Sequence, residues 1–423
     1  MKRILPIDHG LRGDIEIPGD KSISHRSIIL SALSDKPVEV SNFLAGADCM
    51  STVSCMRALG AHIEQFGEQF LITGHGLHEP ENILDAGNSG TTLRLLMGLL
   101  ASQKFFTTFT GDDSLRKRPM ARVIKPLTQM GASIFGRNDN KNLPITILPA
   151  EKNLRGITYE MPVASAQVKS AILLAGLYAE GATTVIEPAP SRDHTEKMLA
   201  AFGVQIEKFG NAIKIFPTNK LVAPERISVP GDISSAAYWI VLATILDGSN
   251  VIILNVGMNE TRTGIIDVLK DMGANIELLN ERISGGERAA DLRIVSSKLR
   301  GVVFGGEIIP RLIDEIPALA VAAAFAEGTT IIRDVGELRV KETDRLAAIV
   351  EEFNKISPDT FSATDDTLII RGGNEKLFAK CQTRADHRMA MALSIFGAAA
   401  EGVKIDNDDC VKISYPNFFD TLR

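Results

Sequence analysis

Six short polar clusters recur along the chain, and each lies just before an apolar stretch with the character of a helix. They are Lys21-Ser22, Asn88-Ser89-Gly90, Ser165-Ala166-Gln167, Asp232-Ile233-Ser234-Ser235, Asp314-Glu315 and Asp386-His387-Arg388. The start of a helix offers unpaired backbone N–H groups and the positive end of the helix dipole, which together favour an anion. Ser, Asn and Asp also cap helices without any ligand. Capping alone does not explain the basic residues in the same first turns, so we predict anion binding at these starts; those residues are Lys21, Arg26, Arg94, Lys169 and Arg388.

Three further segments concentrate basic residues. GDDSLRKRPM contains Arg116, Lys117 and Arg118, PSRDHTEKM contains Ser191, Arg192 and His194, and LRVKETDRL contains Lys341, Glu342 and Arg345. One such segment alone is most simply a solvated charged surface, since residues four apart share a helix face. Three of them beside six polar helix starts indicate small anionic ligands.

The elements that must position these residues form a repeat. An apolar helix, a turn and a short β-branched strand recur six times, 67 to 80 residues apart, with the turns at Lys36, Gln103, Gly181, Gly248, Gly328 and Gly402. A second helix ends in glycine before another strand in MRALGAHIEQ, LTQMGASIFG, LAAFGVQIEK and LKDMGANIEL, as the left-handed position after a helix favours. The fifth copy, VEEFNKISPDTF, is degenerate, and a sixth would fall beyond the chain end. Such a period is typical of a repeated α/β unit.

The repeats group three and three. Pro-Gly-Asp precedes a Ser-rich helix start at residues 18–20 and again at 230–232, and Pro-Gly pairs commonly mark connections. We therefore predict two domains, one over 20–231 and a discontinuous one over 1–19 and 232–423. A strand from Gly13 to Pro18 would pair with the C-terminal half and supply what the truncated sixth unit lacks.

Composition limits the classes of function. A chain of 423 residues with 45% hydrophobic residues has room for two or three domains, and a net charge of −6 argues against nucleic-acid binding. The longest apolar stretch, around 316–326, is too short to span a membrane, and the beginning lacks an apolar leader. The four cysteines and seven histidines show no metal-binding spacing. We expect a soluble cytoplasmic protein with reduced cysteines, no metal and no cofactor.

Seven segments together resemble the signature sequences of the EPSP synthase family of enolpyruvyl transferases. They are PGDKSISHR, GNSGTTLRLL, KRPM, ASAQVKSA, IPRLIDEIP, VKETDR and DHRMAMA, in order over residues 18–391, and the SYPNFF ending extends the match over essentially the whole chain. The resemblance implies an α/β fold of two similar domains, each of three βαβαββ repeats in an inside-out α/β barrel, with helix N-termini directed into an active-site cleft between them. It also implies a monomer that binds shikimate 3-phosphate and phosphoenolpyruvate and is inhibited by glyphosate.

The same resemblance implies roles for single residues. Asp314 would accept the proton of the 5-hydroxyl, Glu342 would protonate the methylene carbon, and Lys21 would stabilise the departing phosphate. Shikimate 3-phosphate would be bound by Lys21, Ser22, Arg26, Ser165, Gln167, Arg192, Asp314 and Lys341. Phosphoenolpyruvate would be bound by Lys21, Gly90, Arg118, Gln167, Arg345 and Arg388, because arginine forks suit carboxylate and phosphate oxygens.

Three positions depart from some members of the family. Ala166 stands where some carry a second serine, so one hydroxyl contact to phosphate is missing or replaced by backbone. Some members have an asparagine near Glu337, and some have a lysine at the position of Ile413, whereas here Lys412 lies one residue earlier. We leave Lys412 out of the predicted site.

Three alternative functions fit the sequence less well. A UDP-N-acetylglucosamine enolpyruvyl transferase shares the fold, but that family has a cysteine before its Arg-Pro and an asparagine after its first lysine, whereas this chain has GDDSLRKRP and Ser22. The GDKS segment lacks the Gly-x-x-x-x-Gly-Lys frame of a phosphate-binding P-loop. A non-catalytic scaffold of repeats would have no need for Asp314 and Glu342 beside so many cations.

Overall fold

The computed structural model describes residues 1–218 and 220–422. Its chain divides into two compact units. The continuous unit comprises Gly19–Val229 together with Ile283–Glu287, and the split unit comprises Met1–Pro18, Pro230–Arg282 and Arg288–Arg423. The chain passes between the units at the two Pro-Gly-Asp segments. The short segment Ile283–Glu287, at the tip of a hairpin, was not foreseen in the boundaries drawn from the sequence.

The helices and strands alternate along the chain. The segment before the first crossing forms β1 (Lys2–Ile4) and β2 (Arg12–Ile15). The continuous unit adds α1 (Lys21–Ser31), β3 (Val38–Ser41), α2 (Ala47–Ala58), β4 (His62–Phe66), β5 (Gln69–Thr73), β6 (Leu84–Asp85), α3 (Gly90–Leu100), β7 (Thr107–Thr110), α4 (Ala121–Gln129), β8 (Ile134–Gly136), the short turn α5 (Arg137–Asn140), β9 (Asn142–Ile147), β10 (Thr158–Glu160), α6 (Ala166–Gly176), β11 (Thr183–Ile186), α7 (His194–Ala201), β12 (Ile206–Phe209), β13 (Ala212–Ile215) and β14 (Arg226–Ser228).

The remainder of the split unit follows the same alternation. It adds α8 (Ile233–Ile245), β15 (Asn250–Gly257), α9 (Gly264–Asp271), β16 (Asn275–Ser284), β17 (Glu287–Val295), β18 (Val303–Phe304), α10 (Ile316–Phe325), β19 (Thr329–Ile332), α11 (Arg345–Ala348), α12 (Asn354–Ile356), β20 (Phe361–Ala363), β21 (Leu368–Arg371), β22 (Ala379–Cys381), α13 (His387–Ala399), β23 (Val403–Ile405) and α14 (Phe418–Thr421). Short 3-10 turns lie at Leu115–Lys117, Gly306–Arg311, Gly336–Val340 and Asp409–Ile413, and a π-helical turn, Ile349–Phe353, joins α11 to α12.

The sheets of the continuous unit share one strand order. They are β14-β3-β5-β4, β6-β7-β9-β8 and β10-β11-β13-β12. In each sheet the first two strands are parallel and the other neighbours are antiparallel. A parallel pair needs a crossover, and in the second and third sheets α3 and α6 supply it. The first sheet takes its edge strand, β14, from the end of the segment, so the three βαβαββ repeats are complete within this unit.

The split unit repeats this pattern with one shortened sheet. Its sheets are β2-β15-β17-β16, β18-β19-β21-β20 and the three-stranded β1-β23-β22. The predicted pairing of an N-terminal strand with the C-terminal half is confirmed, since β2 lies parallel to β15 of the fourth repeat. The predicted bounds, Gly13 to Pro18, and its place in the sixth unit are wrong, because the strand is Arg12–Ile15. Pro18 lacks the N–H that a strand would need, and the chain turns toward the crossing there. The sixth repeat is completed instead by β1, antiparallel to β23.

Three largely buried helices lie in each unit. They are α1, α3 and α6 in the continuous unit and α8, α10 and α13 in the split unit, and nearly all their residues are buried. Most of them are mainly apolar, as a helix surrounded by other elements must be, and α1 instead buries several polar side chains. The backbones of α3 and α6 approach so closely that a Cβ added at Gly98 would lie 2.1 Å from the carbonyl oxygen of Ala171. This packing holds the first turns of the two helices side by side.

The predicted helix boundaries are confirmed. Each polar cluster begins a central helix, with Asp20, Ser89, Ser165, Asp232, Glu315 and Asp386 at the cap positions. The glycines that end α2, α4, α7 and α9 have φ of 101°, 108°, 80° and 103°, the left-handed region that glycine enters at low cost. All of these signals are local, which is why the sequence alone was sufficient to find them.

A chain of buried polar groups joins three helix starts of the continuous unit. His25 Nδ1 lies 2.7 Å from the Thr52 hydroxyl, which lies 2.7 Å from the Thr92 hydroxyl, and Thr92 donates to Ser89 Oγ at 2.8 Å. These contacts link α1, α2 and the cap of α3. Burial, followed by the charge of Lys21, lowers the pKa of His25 to about 3, so the ring is neutral and acts as a fixed hydrogen-bonding group.

Candidate active site

Lys21 is the first residue of α1, directly after the cap. The carboxylate of Asp20 accepts a hydrogen bond from the backbone N–H of Ile23 at 2.9 Å. The Lys21 ammonium forms an ion pair with Asp48 in the first turn of α2, while 26% of its side chain remains exposed. A cation therefore lies at a helix start, where a phosphate oxygen would be favoured.

Arg26, one turn further into α1, is buried and ties three elements together. Its Nε donates to Thr195 Oγ1 at 2.7 Å, one Nη donates to Ser170 Oγ at 2.8 Å, and the other donates to the carbonyl of Ser22 at 2.8 Å. Burial lowers the pKa of Arg26 to about 10. Three of the five N–H groups of the guanidinium are thus used for contacts inside the unit.

Lys169 differs from the other basic residues at helix starts. Its side chain is 1% exposed, and its ammonium lies 2.8 Å from Glu187 and 2.7 Å from Glu196. The two carboxylates neutralise it inside the unit, so our interpretation of Lys169 as a ligand-binding cation is wrong. Nothing in the local sequence separates it from Lys21, because its partners come from the end of β11 and from α7.

In the segment 191–194, too, some of the side chains are bonded to carboxylates inside the unit. Ser191 donates to Glu187, and buried His194 lies 2.7 Å from Glu287 in the hairpin tip. Arg192 is only half-buried. Of this segment, Arg192 is thus the side chain whose exposure suits ligand binding.

Two arginines flank the start of α3. Arg118 donates to Asn88 Oδ1 at 2.7 Å and Arg94 donates to Gln167 Oε1 at 2.5 Å, so both acceptors are neutral. A Cβ at Gly90 would lie 2.5 Å from Arg94 Nη1 and 3.6 Å from Arg118 Nη1. Burial and then the charge of Arg118 lower the pKa of Arg94 to about 10. Among the described residues neither guanidinium forms an ion pair with a carboxylate, so positive charge is concentrated where Gly90 leaves the backbone open.

Gln167 joins this cluster to α6. Its amide accepts from Arg94 and donates to Thr91 Oγ1 at 3.0 Å, so the first turns of α3 and α6 are hydrogen-bonded to each other. Ser165 caps α6 through the N–H of Val168 at 3.5 Å, and Ser22 is partly exposed in the first turn of α1. In the continuous unit, Arg26 thus links α1 to α6 and Gln167 links α6 to α3, and a single ligand site formed by the residues predicted in this unit stays a prediction.

In the split unit, one buried guanidinium lies among three carboxylates. Arg345 is fully buried, and its nitrogens lie 2.8 Å from Asp386, 3.2 Å from Asp314 and 2.6 Å from Glu342. Burial opposes the charge, but Glu342 and Asp386 outweigh that effect and raise the pKa of Arg345. Asp386, itself the cap of α13, had no predicted partner, since 41 residues separate it from Arg345.

Asp314, just before α10, lies among three cations. Its carboxylate oxygens lie 3.2 Å from Arg345, 3.8 Å from Lys341 and 3.8 Å from Arg388. Arg388 also donates to the carbonyl of Asp314 at 3.3 Å and lies 3.9 Å from buried Glu315. Three other residues predicted for the site thus meet around the partly exposed carboxylate of Asp314.

Glu342 is ionised in this arrangement. Burial raises the pKa of Glu342, but the guanidinium of Arg345 and then His387 lower it well below its usual range. A carboxylic acid that protonates carbon must hold a proton first. Any such role therefore requires the contact with Arg345 to change.

At two of the positions where the sequence differs from some family members, the residue there or beside it forms an ordinary ion pair. Glu337 accepts from Lys341 at 3.0 Å, and exposed Lys412 pairs with Asp409 at 2.7 Å. The pair with Asp409 agrees with the decision to leave Lys412 out of the site.

Two findings concern metals and membranes, and both apply to residues 1–218 and 220–422. Within them, no group of three or more His, Cys, Asp or Glu side chains is arranged to hold a metal ion. No helix in the same ranges is long and apolar enough to cross a membrane. Cys49, Cys55, Cys381 and Cys410 are buried thiols.

Comparisons with known proteins agree with this geometry. Residues 7–422 match the family model of EPSP synthase (3-phosphoshikimate 1-carboxyvinyltransferase). The chain is 52% identical over 418 residues to a 3-phosphoshikimate 1-carboxyvinyltransferase of Desulforamulus reducens, covering 98% of this chain and 96% of the relative. It is 51% identical to one of Thermoanaerobacter sp. (strain X514), covering 97% of each chain.

Solved structures give the same result. The EPSP synthase from Acinetobacter baumannii superposes with a TM-score of 0.91 at 43% identity, covering 99% of this chain and 96% of that one. The enolpyruvyl transferase NikO from Streptomyces tendae, with a TM-score of 0.80 at 19% identity over 99% of this chain and 96% of its own, shares the fold. The predicted two-domain enolpyruvyl transferase fold is confirmed, and the alternative UDP-N-acetylglucosamine enzyme finds no support. The chain belongs to the EPSP synthase family, the 3-phosphoshikimate 1-carboxyvinyltransferases.

Proposed function

We propose that the side chains at the helix starts carry out the reaction of the EPSP synthase family in this chain. That reaction moves the 1-carboxyvinyl group of phosphoenolpyruvate to the 5-hydroxyl of shikimate 3-phosphate and releases phosphate, a step of the shikimate pathway toward aromatic amino acids. The observation that carries the assignment of residues is Asp314, whose carboxylate lies 3.2 to 3.8 Å from nitrogens of three cations. Such a group can stay ionised, accept a proton and remain in reach of an anionic substrate.

Two sets of residues would bind the substrates. Shikimate 3-phosphate is assigned to Lys21, Ser22, Arg26, Ser165, Gln167, Arg192, Asp314 and Lys341. Phosphoenolpyruvate is assigned to Lys21, Gly90, Arg118, Gln167, Arg345 and Arg388. The unpaired positive charge around Gly90 and the guanidiniums beside Asp314 support these assignments, since charge-assisted hydrogen bonds to phosphate and carboxylate are the strong ones. It is part of the proposal that the residues of both sets contact the same bound pair of substrates.

Substrate binding would also prepare the acid. When the carboxylate of phosphoenolpyruvate takes N–H groups of Arg345, Glu342 loses its partner and gains a negative neighbour. Both changes raise a carboxylate pKa. Glu342 would then take up the proton that the reaction needs, so the ion pair with Arg345 acts as a switch controlled by the substrate.

The proposed steps balance in protons. Glu342 gives its proton to C3 of phosphoenolpyruvate, and C2 takes on oxocarbenium character. The 5-oxygen attacks C2 while its proton passes to Asp314. Loss of a methyl proton back to Glu342 and departure of phosphate, stabilised by Lys21, restore the double bond. The proton held by Asp314 ends on the departing phosphate, which returns Asp314 to its carboxylate form.

We further propose that the enzyme acts as a monomer in the cytoplasm and is sensitive to glyphosate. The buried thiols suit a reducing compartment. Glyphosate, an anionic inhibitor that the family binds in the phosphoenolpyruvate site, is longer than phosphoenolpyruvate. It would therefore depend more on the open backbone at Gly90.

The base is tested by Asp314→Asn. The variant keeps the shape of the side chain but cannot accept the proton, so kcat should fall by about 10²–10⁴-fold. The KM for phosphoenolpyruvate should not rise, because one negative charge has been removed from beside three cations. Steady-state phosphate release measures both values, with exposed Asp247→Asn of the same unit as the matched control. A kcat for Asp314→Asn close to that of Asp247→Asn would contradict the assignment.

The acid is tested by counting protons. Phosphoenolpyruvate is titrated calorimetrically into Asp314→Asn saturated with shikimate 3-phosphate, in two buffers of different ionisation enthalpy. Binding should take up part of a proton near pH 7, and the uptake should approach one proton as the pH is lowered to about 5. Adding Glu342→Gln should abolish this uptake. Equal uptake with and without Glu342 would show that another group takes the proton.

Glyphosate sensitivity is tested by Gly90→Ala. The added methyl group must displace the Arg94 guanidinium or enter the ligand site, because its position lies 2.5 Å from Arg94 Nη1. The inhibition constant for glyphosate should rise by about tenfold or more, which is about 1.4 kcal/mol, and the KM for phosphoenolpyruvate should rise less. The KM for shikimate 3-phosphate serves as the internal control. Equal losses for inhibitor and substrate would show that Gly90 does not distinguish them.

A further inference from the structure

The carboxamide of Asn88 lies between a guanidinium and a carboxylate. Its Oδ1 accepts from Arg118 Nη2 at 2.7 Å, and its Nδ2 donates to Asp112 Oδ2 at 2.6 Å. The other contacts of Arg118 are longer, at 3.3 Å to Ser114 Oγ and 3.4 Å to the carbonyl of Asn88. The Asn88 side chain is therefore the main hydrogen-bond acceptor that holds this guanidinium in place.

The orientation of the Asn88 amide follows from the chemistry of its two neighbours. A carboxylate only accepts hydrogen bonds and a guanidinium only donates them. If the amide turned over, its NH₂ group would face Arg118 and its oxygen would face Asp112, and both contacts would become repulsive. The carboxylate of Asp112 thus fixes which end of Asn88 is presented to Arg118.

Asp112 is itself held in place by its backbone and by its other oxygen. Its Oδ1 accepts from the N–H of Leu115 at 2.7 Å, its own N–H donates to the carbonyl of Gly87 at 2.9 Å, and its carbonyl accepts from the N–H of Arg116 at 3.0 Å. These bonds anchor the carboxylate at the turn Leu115–Lys117, directly before Arg118. Asp112 is therefore a rigid support in an exposed loop.

We propose that Asp112 is a positioning residue for Arg118. Through Asn88 it fixes the guanidinium so that the remaining N–H groups of Arg118 are directed to the phosphoenolpyruvate site at the start of α3. This inference rests on the proposed role of Arg118 as a phosphoenolpyruvate ligand. Asp112 contacts no substrate in this account and acts only through Asn88.

The direction in which phosphoenolpyruvate binding changes distinguishes a positioning role of Asp112 from an effect of its charge alone. A negative residue near an anion site opposes anion binding, so removing its charge should strengthen binding if charge were its only action. Loss of positioning has the opposite effect, because a misdirected guanidinium makes poorer hydrogen bonds. The neighbouring Asp113 offers a matched control, since it carries the same charge in the same loop and its side chain is 94% exposed.

The experiment compares Asp112→Asn with Asp113→Asn. A carboxamide has one acceptor end, so Asn at 112 cannot bond both Leu115 and Asn88 as the carboxylate does. We expect Asp112→Asn to raise the KM for phosphoenolpyruvate by about tenfold, with kcat and the Kd of shikimate 3-phosphate unchanged. Asp113→Asn should leave the KM unchanged or lower it. A lowered KM in both variants would overturn the proposal, as would equal losses for the two substrates.

A second pair of variants tests the route through Asn88 and does not depend on Asp112→Asn alone. Asn88→Ser removes the acceptor for Arg118 and leaves the other contacts of Asp112 intact, so it should raise the KM for phosphoenolpyruvate similarly. Adding Asp112→Asn to Asn88→Ser should then have little further effect, because both act on one path. A further tenfold loss in the double variant would contradict the proposal. Arg118→Met separates the two claims, since an unchanged KM there would refute the role of Arg118 itself.

Discussion

The structure depends on one electrostatic constraint: each unit places the N-termini of three buried helices next to one another. Contacts between the first two turns of these helices show this. Ser234 of α8 donates to Glu315 at the start of α10, Arg388 of α13 lies 3.9 Å from Glu315, and Arg26 of α1 donates to Ser170 of α6 at 2.8 Å. Adjacent positive helix ends with unpaired N–H groups favour negative charge. The capping side chains supply only part of this negative charge, and anionic ligands can supply the rest.

The two units surround their positive charges with different acceptors, and the difference matches the chemistry assigned to each unit. In the split unit, carboxylates surround the guanidiniums, so Asp314 and Glu342 can exchange protons while Arg345 and Arg388 remain charged. In the continuous unit, Arg94 and Arg118 have neutral acceptors, and their charge is available for phosphate or carboxylate oxygens. The proposal thus assigns proton transfer and anion binding to the same repeated architecture with different residues at the helix starts.

The repeats, the helix starts and the glycine helix ends were predictable, because capping and period are properties of a few neighbouring residues. The partners of charged residues were not. Lys21 and Lys169 look alike in sequence, yet one keeps a quarter of its side chain exposed and the other is buried between two glutamates. The ion pair of Arg345 with Asp386 and the pairing of Arg12–Ile15 with β15 likewise join distant parts of the chain. Such contacts are decided by packing between repeats, which no local pattern encodes.

Amide hydrogen exchange of the continuous unit tests the central claim most directly. Exchange is measured with and without saturating shikimate 3-phosphate in the first turns of α1 and α6, with α4 as the internal comparison. If these helix starts bind the anion, their amides should exchange more slowly with the ligand present, while those of α4 change little. Slower exchange confined to other elements, or no change at the two helix starts, would contradict the account.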